Sequence, residues 1–147
     1  RSASITKDLI DAGGKVQVGA HGQLAGLAAH WEIWMFEQGG MTELEALRSA
    51  TLSGAEYLGL DGDIGSIEEG KLADFVVLEK NPLTSIRNTD SVRYTVLGGR
   101  VLDAQTMQTI NPATGQSGPA PEYFWQSLES GIAIQNEVSC AACQAQH

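Results

Sequence analysis

Apolar residues in the first 40 positions recur with the 3.6-residue period of two amphipathic helices. The first helix places Ile5, Leu9 and Ala12 on one face and ends at the two glycines of positions 13–14. The second helix also contains Trp34 and Phe36, and its aromatic rings cannot all share one face. At least one of them must therefore face a second surface. The apolar stripe of this second helix comprises Leu24, Leu27, Ala28, Trp31 and Met35.

Between these helices lies a short β-branched segment, residues 15–18, followed by a loop of small and polar residues at 19–23. A strand that passes through such a loop into a helix is a βα unit, the repeating element of parallel sheets and barrels. The pattern therefore predicts a strand at residues 15–18. It places His21 and Gln23 on the loop that follows the carboxyl end of this strand.

Two further helices are predicted from their capping signals. Thr42 and Glu45 have the spacing of a capping box, in which each side chain accepts the backbone N–H of the other residue. Ser53 and Glu56 repeat this spacing, so the next helix is expected to have its cap at Ser53. Gly59 follows as the left-handed residue that commonly ends a helix.

Beyond residue 60 the pattern changes to short strands separated by turns. Phe75–Leu78 is a continuous apolar run of the kind found in buried strands. Residues 91–97 alternate between apolar and polar side chains. The glycine pair at 98–99 suits the positive φ angles of a tight hairpin, whose second strand is predicted at residues 100–102.

The charge balance restricts the partners of this chain. Nine Lys and Arg residues against 18 Asp and Glu residues give a formal net charge of −9. Nucleic acids and anionic membranes both attract basic surfaces, so neither is an expected partner. The sequence contains no long apolar run and no signal peptide, which leaves cytoplasmic and exported locations both open.

Two motifs at a defined spacing carry a resemblance to a known family. The first is A-L-R-S-A-T-x-x-G-A-x-x-L-G-L at residues 46–60, and the second is I-G-S-I-E-E-G-K-L-A-D-F-V-V-L at residues 64–78. This order of parts resembles the C-terminal end of the amidohydrolase superfamily. The hairpin sequence V-L-G-G-R-V at residues 96–101 is also similar to that family. The resemblance extends over roughly residues 5–103, about two-thirds of the chain.

The resemblance implies an α/β fold, in which the chain supplies the last βα unit of a (β/α)8 barrel and strands of the adjoining small β-sandwich. Residues 1–60 would then form the C-terminal end of the barrel, residues 61–112 the sandwich segment, and residues 113–147 a loop-rich tail with one predicted helix at 122–128. A complete barrel needs roughly 250 residues. The 147 residues are therefore expected to be a C-terminal segment of a longer protein.

The resemblance also implies a chemistry. Members of this superfamily hydrolyse carbon–nitrogen bonds with water activated by one or two divalent metal ions, and zinc is the expected metal. Most of the metal ligands in this superfamily come from earlier barrel strands, so the chain alone is expected to bind no metal and to be inactive. The remainder of the barrel, or a homo-oligomer partner, is the expected protein partner. The expected substrate is a small amide, a dipeptide-like compound or a cyclic amide.

One expected catalytic position falls within this chain, and it departs from the family pattern. Relatives carry Gly-Thr-Asp at the end of the last barrel strand, where this chain has Gly19-Ala20-His21. The resemblance implies that His21 replaces the aspartate as a metal ligand or a base, since imidazole serves in both roles near neutral pH. A shifted register and an altered, inactive site are the alternatives. Gln23 is the second candidate, because its carboxamide can point at the substrate or at a metal-bound water.

A competing hypothesis belongs to another class of protein. The chain is then a non-catalytic interaction or structural module that retains the amidohydrolase scaffold. A His-x-His pair and a mid-barrel metal ligand upstream of this segment would indicate the enzyme, and their loss would indicate the module. A third hypothesis is that a separate chain supplies the rest of the barrel.

Overall fold

The computed structural model describes residues 2–21, 24 and 26–120, so the predicted helix at 122–128 lies outside the described residues. Within these residues, no helix combines the length and apolar character that crossing a bilayer requires. The elements in chain order are α1 (Ser2–Asp11), α2 (Leu27–Gln38), α3 (Glu43–Ser49), α4 (Leu52–Leu58), β1 (Phe75–Leu78), a 3-10 helix (Ile86–Asp90), β2 (Val92–Leu97), β3 (Arg100–Asp103) and β4 (Thr109–Ile110).

Helix α2 is the central element of the helical half, because it packs against α1, α3 and the 3-10 helix. Its end lies so close to α1 that a Cβ on Gly39 would be 2.3 Å from the carbonyl oxygen of Ala3. Trp34 and Phe36 are buried, whereas Trp31 is 44% exposed on another face of the helix. The core cluster consists of Ile33, Trp34, Phe36, Met41, Ala46 and Ile86.

The predicted capping box at the start of α3 is confirmed. The Thr42 hydroxyl accepts the N–H of Glu45 at 3.2 Å, and the Glu45 carboxylate accepts the N–H of Thr42 at 2.7 Å. This reciprocal pair satisfies two N–H groups that the first turn of a helix leaves without partners.

The second predicted capping box is wrong. Helix α4 has its N-cap at Thr51, without a side-chain capping bond, and Ser53 lies buried inside the helix. Glu56 forms ion pairs with Lys15 and Arg48 instead. Its carboxylate therefore joins α4 to Arg48 on the preceding helix and to Lys15, much earlier in the chain, and the local spacing does not reveal these contacts. The predicted end of this helix is confirmed, since Gly59 has the left-handed conformation.

The turn between α4 and β1 is organised around one lysine. The ammonium group of Lys71 donates to the backbone carbonyl of Asp61 and to the Ser66 hydroxyl, and it lies 3.3 Å from the Glu68 carboxylate. Its side chain is only 11% exposed, so these three oxygens replace most of the water it loses. Gly65 has a φ of +91°, and a Cβ there would lie 2.6 Å from a side-chain carbon of α4.

The strands form one antiparallel sheet in the order β1-β2-β3-β4. The predicted hairpin is confirmed, because Gly98 and Gly99 both have positive φ angles and join β2 to β3. The Asp74 carboxylate accepts the N–H of Gly98 at 2.6 Å, which ties the start of β1 to this turn. The short strand β4, which pairs with β3, was not predicted.

Two predictions about strands are wrong. Strand β1 exists but is not buried, since Phe75, Val76 and Val77 are 38%, 55% and 40% exposed. Strand β1 lies at the edge of the sheet, and three of its four residues are exposed. Residues 15–18 do not form a strand, because no neighbouring strand pairs with them in the described part of the chain. The chain therefore has an α/β fold with an antiparallel sheet, while the barrel and sandwich assignments stay predictions.

The two capping predictions can be separated by mutation. Thr42→Ala should lower the free energy of unfolding by about 1 kcal/mol, because the N–H of Glu45 loses its acceptor. Ser53→Ala should cost clearly less, since Ser53 caps no helix. Urea denaturation followed by far-UV circular dichroism measures both changes. Thr42→Ser retains the hydroxyl and is the matched control; an equal loss in Thr42→Ser and Thr42→Ala would contradict the capping role.

The turn before β1 should be especially intolerant of a side chain at Gly65, where the backbone angle and the lack of space both oppose it. Gly65→Ala should destabilise the fold by about 1–3 kcal/mol, because the positive φ and the close approach of α4 both oppose a Cβ. Gly62→Ala is the control, since no atom lies within 4 Å of its added Cβ. The midpoints of thermal unfolding of the two variants are compared. Equal midpoints would contradict the close approach of Gly65 to α4.

Candidate functional site

The segment that leads to His21 is held against two helices. The N–H of Val18 donates to the carbonyl oxygen of Ser49, at the end of α3, at 3.0 Å. The Lys15 ammonium lies 2.9 Å from a carboxylate oxygen of Glu56 on α4. The nearby ammonium group of Lys15 keeps the pKa of Glu56 below its usual range. The segment thus has defined neighbours although it belongs to no sheet.

The loop begins at Gly19, whose N–H donates to a carboxylate oxygen of Glu32 on α2 at 3.1 Å. His21 follows two residues later and is exposed. Its imidazole makes no hydrogen bond or ion pair with any residue that the structure describes. Gln23 lies outside the described residues. The catalytic roles of His21 and Gln23 therefore stay predictions.

The described residues do not by themselves provide a metal site. No group of three or more His, Cys, Asp or Glu side chains within residues 2–21, 24 and 26–120 is arranged to hold a metal ion. A zinc site with three or four protein ligands needs more donors than a single imidazole. His21 can contribute one donor at most, and no reaction step through a metal can be derived from these residues.

Another histidine, His30, lies on α2 and belongs to a contact that holds the fold together. The indole N–H of buried Trp34 donates to the Thr89 hydroxyl at 2.9 Å, and His30 Nδ1 lies 3.2 Å from the same oxygen. The Arg87 guanidinium lies 4.4 Å from the centre of the Trp34 ring, close enough for a cation–π interaction. These contacts join α2 to the 3-10 helix. No local sequence signal predicts them, because the partners are more than 50 residues apart.

The described surface also contains two hollows, neither of which includes His21. One has a volume of about 400 Å³ and lies between the start of α4, the residues around Gly65 and the first half of β1. The other has a volume of about 530 Å³ and lies beside the β3–β4 pair, near Arg100 and Asn111. Neither hollow contains a histidine or a cysteine, so neither is a stronger candidate for hydrolytic chemistry than the loop.

Comparison with known proteins identifies the family. The model of the amidohydrolase family matches residues 6–102, and the chain therefore belongs to this family. This range contains both sequence motifs, the loop with His21 and the hairpin. The resemblance predicted from the sequence is confirmed.

Individual relatives agree with this assignment. The chain is 45% identical over 65 residues to the imidazolonepropionase of Phocaeicola vulgatus, covering 42% of this chain and 16% of that protein. It is 48% identical over 54 residues to the guanine deaminase of Escherichia coli, covering 35% and 12%. A crystal structure of a Xaa-Pro dipeptidase with methionine in its active site superposes with a TM-score of 0.63 at 25% identity, covering 69% and 25%. The chain thus spans a quarter or less of the length of these proteins.

The buried contact between Trp34 and Thr89 generates a test of how α2 is held. Thr89→Val keeps the shape of the side chain but leaves the indole N–H of Trp34 without an acceptor. The free energy of unfolding should fall by about 1–3 kcal/mol in urea denaturation. Thr95→Val, in strand β2, is the control and should be close to neutral because β-branched apolar residues suit strands. Equal stability of the two variants would argue against this contact.

Proposed function

We propose that this chain is the C-terminal part of a metal-dependent amidohydrolase that hydrolyses a carbon–nitrogen bond. The observation that carries the proposal is the family match over residues 6–102. In this proposal residues 1–60 complete a barrel, residues 61–112 contribute to a β-sandwich, and residues 113–147 form a tail. The remainder of the barrel is the principal partner.

The relatives support the class of bond that is broken, but they do not point to one particular substrate. A guanine deaminase and a Xaa-Pro dipeptidase both break carbon–nitrogen bonds, although their substrates share little else. We therefore propose a small amide, a dipeptide-like compound or a cyclic amide as the substrate class. The loops that would discriminate among these substrates belong largely to the rest of the barrel, as in other proteins of this architecture.

Within the chain, His21 is the proposed catalytic residue and metal ligand. Three features support the proposal: the family pattern expects a metal-binding residue at this position, the preceding segment is held by α2 and α3, and the imidazole is exposed. The described residues do not complete a metal site around His21, so further ligands from elsewhere in the protein are part of the proposal. Gln23, on the same loop, is proposed to contact the substrate or a metal-bound water.

The test uses the complete protein that carries this segment. His21→Ala should lower the bound zinc and reduce kcat/KM for amide or dipeptide hydrolysis by about 100-fold or more. His21→Asp introduces the carboxylate that relatives carry and should retain metal. Metal content is measured by atomic emission after dialysis, and turnover is measured before and after chelation and zinc replacement.

A matched histidine variant separates chemistry from stability. His30→Gln disturbs the contact with Thr89 and should lower stability, while the metal content should stay unchanged. If His21→Ala retains full metal and full activity, His21 is not the proposed ligand. If the complete protein shows no metal-dependent hydrolysis, the non-catalytic module is the better hypothesis. Metal-dependent turnover by the isolated 147-residue chain would also contradict the proposal.

A further inference from the structure

Two consecutive backbone amides hold the segment that precedes His21, and they bond to different helices. The N–H of Val18 bonds to Ser49, at the end of α3, at 3.0 Å. The N–H of Gly19 bonds to the Glu32 carboxylate on α2 at 3.1 Å. Because adjacent peptide units are held from two directions, the orientation of the chain at the start of the loop is well defined.

The bond to Glu32 differs in kind from the bond to Ser49. A carboxylate that accepts a backbone N–H forms a charge-assisted hydrogen bond, which is stronger than a bond between neutral groups. Gly19 itself provides little packing, since no atom lies within 4 Å of a Cβ built on it. The described hydrogen bond of this residue is the one that its N–H makes to Glu32.

Glu32 projects from a well-anchored part of α2. Its neighbours Ile33 and Phe36 belong to the buried core, and Trp34 bonds to Thr89 of the 3-10 helix. Because the backbone of such a helix has little freedom to move, a carboxylate on it can hold the loop in a fixed position relative to the core. The sequence separation of 13 residues between donor and acceptor hides this contact from pattern analysis.

We propose that Glu32 is a positioning residue, whose carboxylate holds the N–H of Gly19 and thereby orients the loop that carries His21. This inference rests on the proposed function of His21, since a defined loop direction matters for metal binding and catalysis. Glu32 contacts neither metal nor substrate in this proposal. It acts through the backbone of the loop.

The experiment measures amide hydrogen exchange by nuclear magnetic resonance on the complete protein that carries this segment, labelled with 15N. Glu32→Ala should accelerate exchange at Gly19 on the order of tenfold, because the amide loses its acceptor. It should also shift the imidazole resonances of His21. Glu32→Gln keeps a carbonyl oxygen at this position and should restore much of the protection, as well as the His21 resonances.

Glu37→Ala is the matched control, because Glu37 lies on the same helix and has no described bond to the loop. It should leave Gly19 exchange and His21 resonances unchanged. Unaltered exchange at Gly19 in Glu32→Ala would overturn the inference. Faster exchange with unchanged His21 resonances would overturn it as well, because the bond would then be local. These measurements require no catalytic turnover. A negative result for Glu32 can therefore be distinguished from a negative result in the metal and activity tests of His21→Ala.

Discussion

The hydrogen bond from the Trp34 indole to Thr89 joins the helical half of this chain to its sheet half. Both residues are buried, and the donor has no access to water that would replace its acceptor. Breaking the bond would leave a buried N–H unsatisfied, which costs more than an ordinary hydrogen bond contributes. The 3-10 helix that carries Thr89 also contributes Ile86 to the core and leads directly into strand β2. The orientation of α2 relative to the strands depends on this hydrogen bond and on the 3-10 helix that carries its acceptor.

The candidate site depends on α2 in turn. The same helix carries Trp34 on the face toward the 3-10 helix and Glu32 toward the loop, so its placement orients the backbone that precedes His21. The segment before the loop has no strand partner among the described residues, and side chains and helix ends hold it instead.

Elements whose structure is decided by local chemistry were predictable from the sequence. The Thr42 and Glu45 capping box, the left-handed Gly59 and the Gly98-Gly99 hairpin were all predicted, because each depends on residues within a few positions of one another. The capping role predicted for Glu56 was wrong, since its carboxylate pairs with Lys15 and Arg48 outside its own helix. The burial predicted for β1 from its apolar composition was also wrong, because burial depends on which layers cover a strand.

The sequence alone therefore determined the family, the helices α1 to α4, the strands β1 to β3 and the position of the candidate histidine, whereas it wrongly placed a strand at residues 15–18 and missed β4. The turn around Lys71 shows how local such structure can be: the lysine, the oxygens that accept its hydrogen bonds and a glycine with positive φ all lie within 11 residues. Only the tertiary structure decided which side chains hold the loop, which face of α2 is buried, and that His30 contacts Thr89 rather than the loop. Contacts between residues far apart in sequence arise from packing, and no local pattern of residues encodes them.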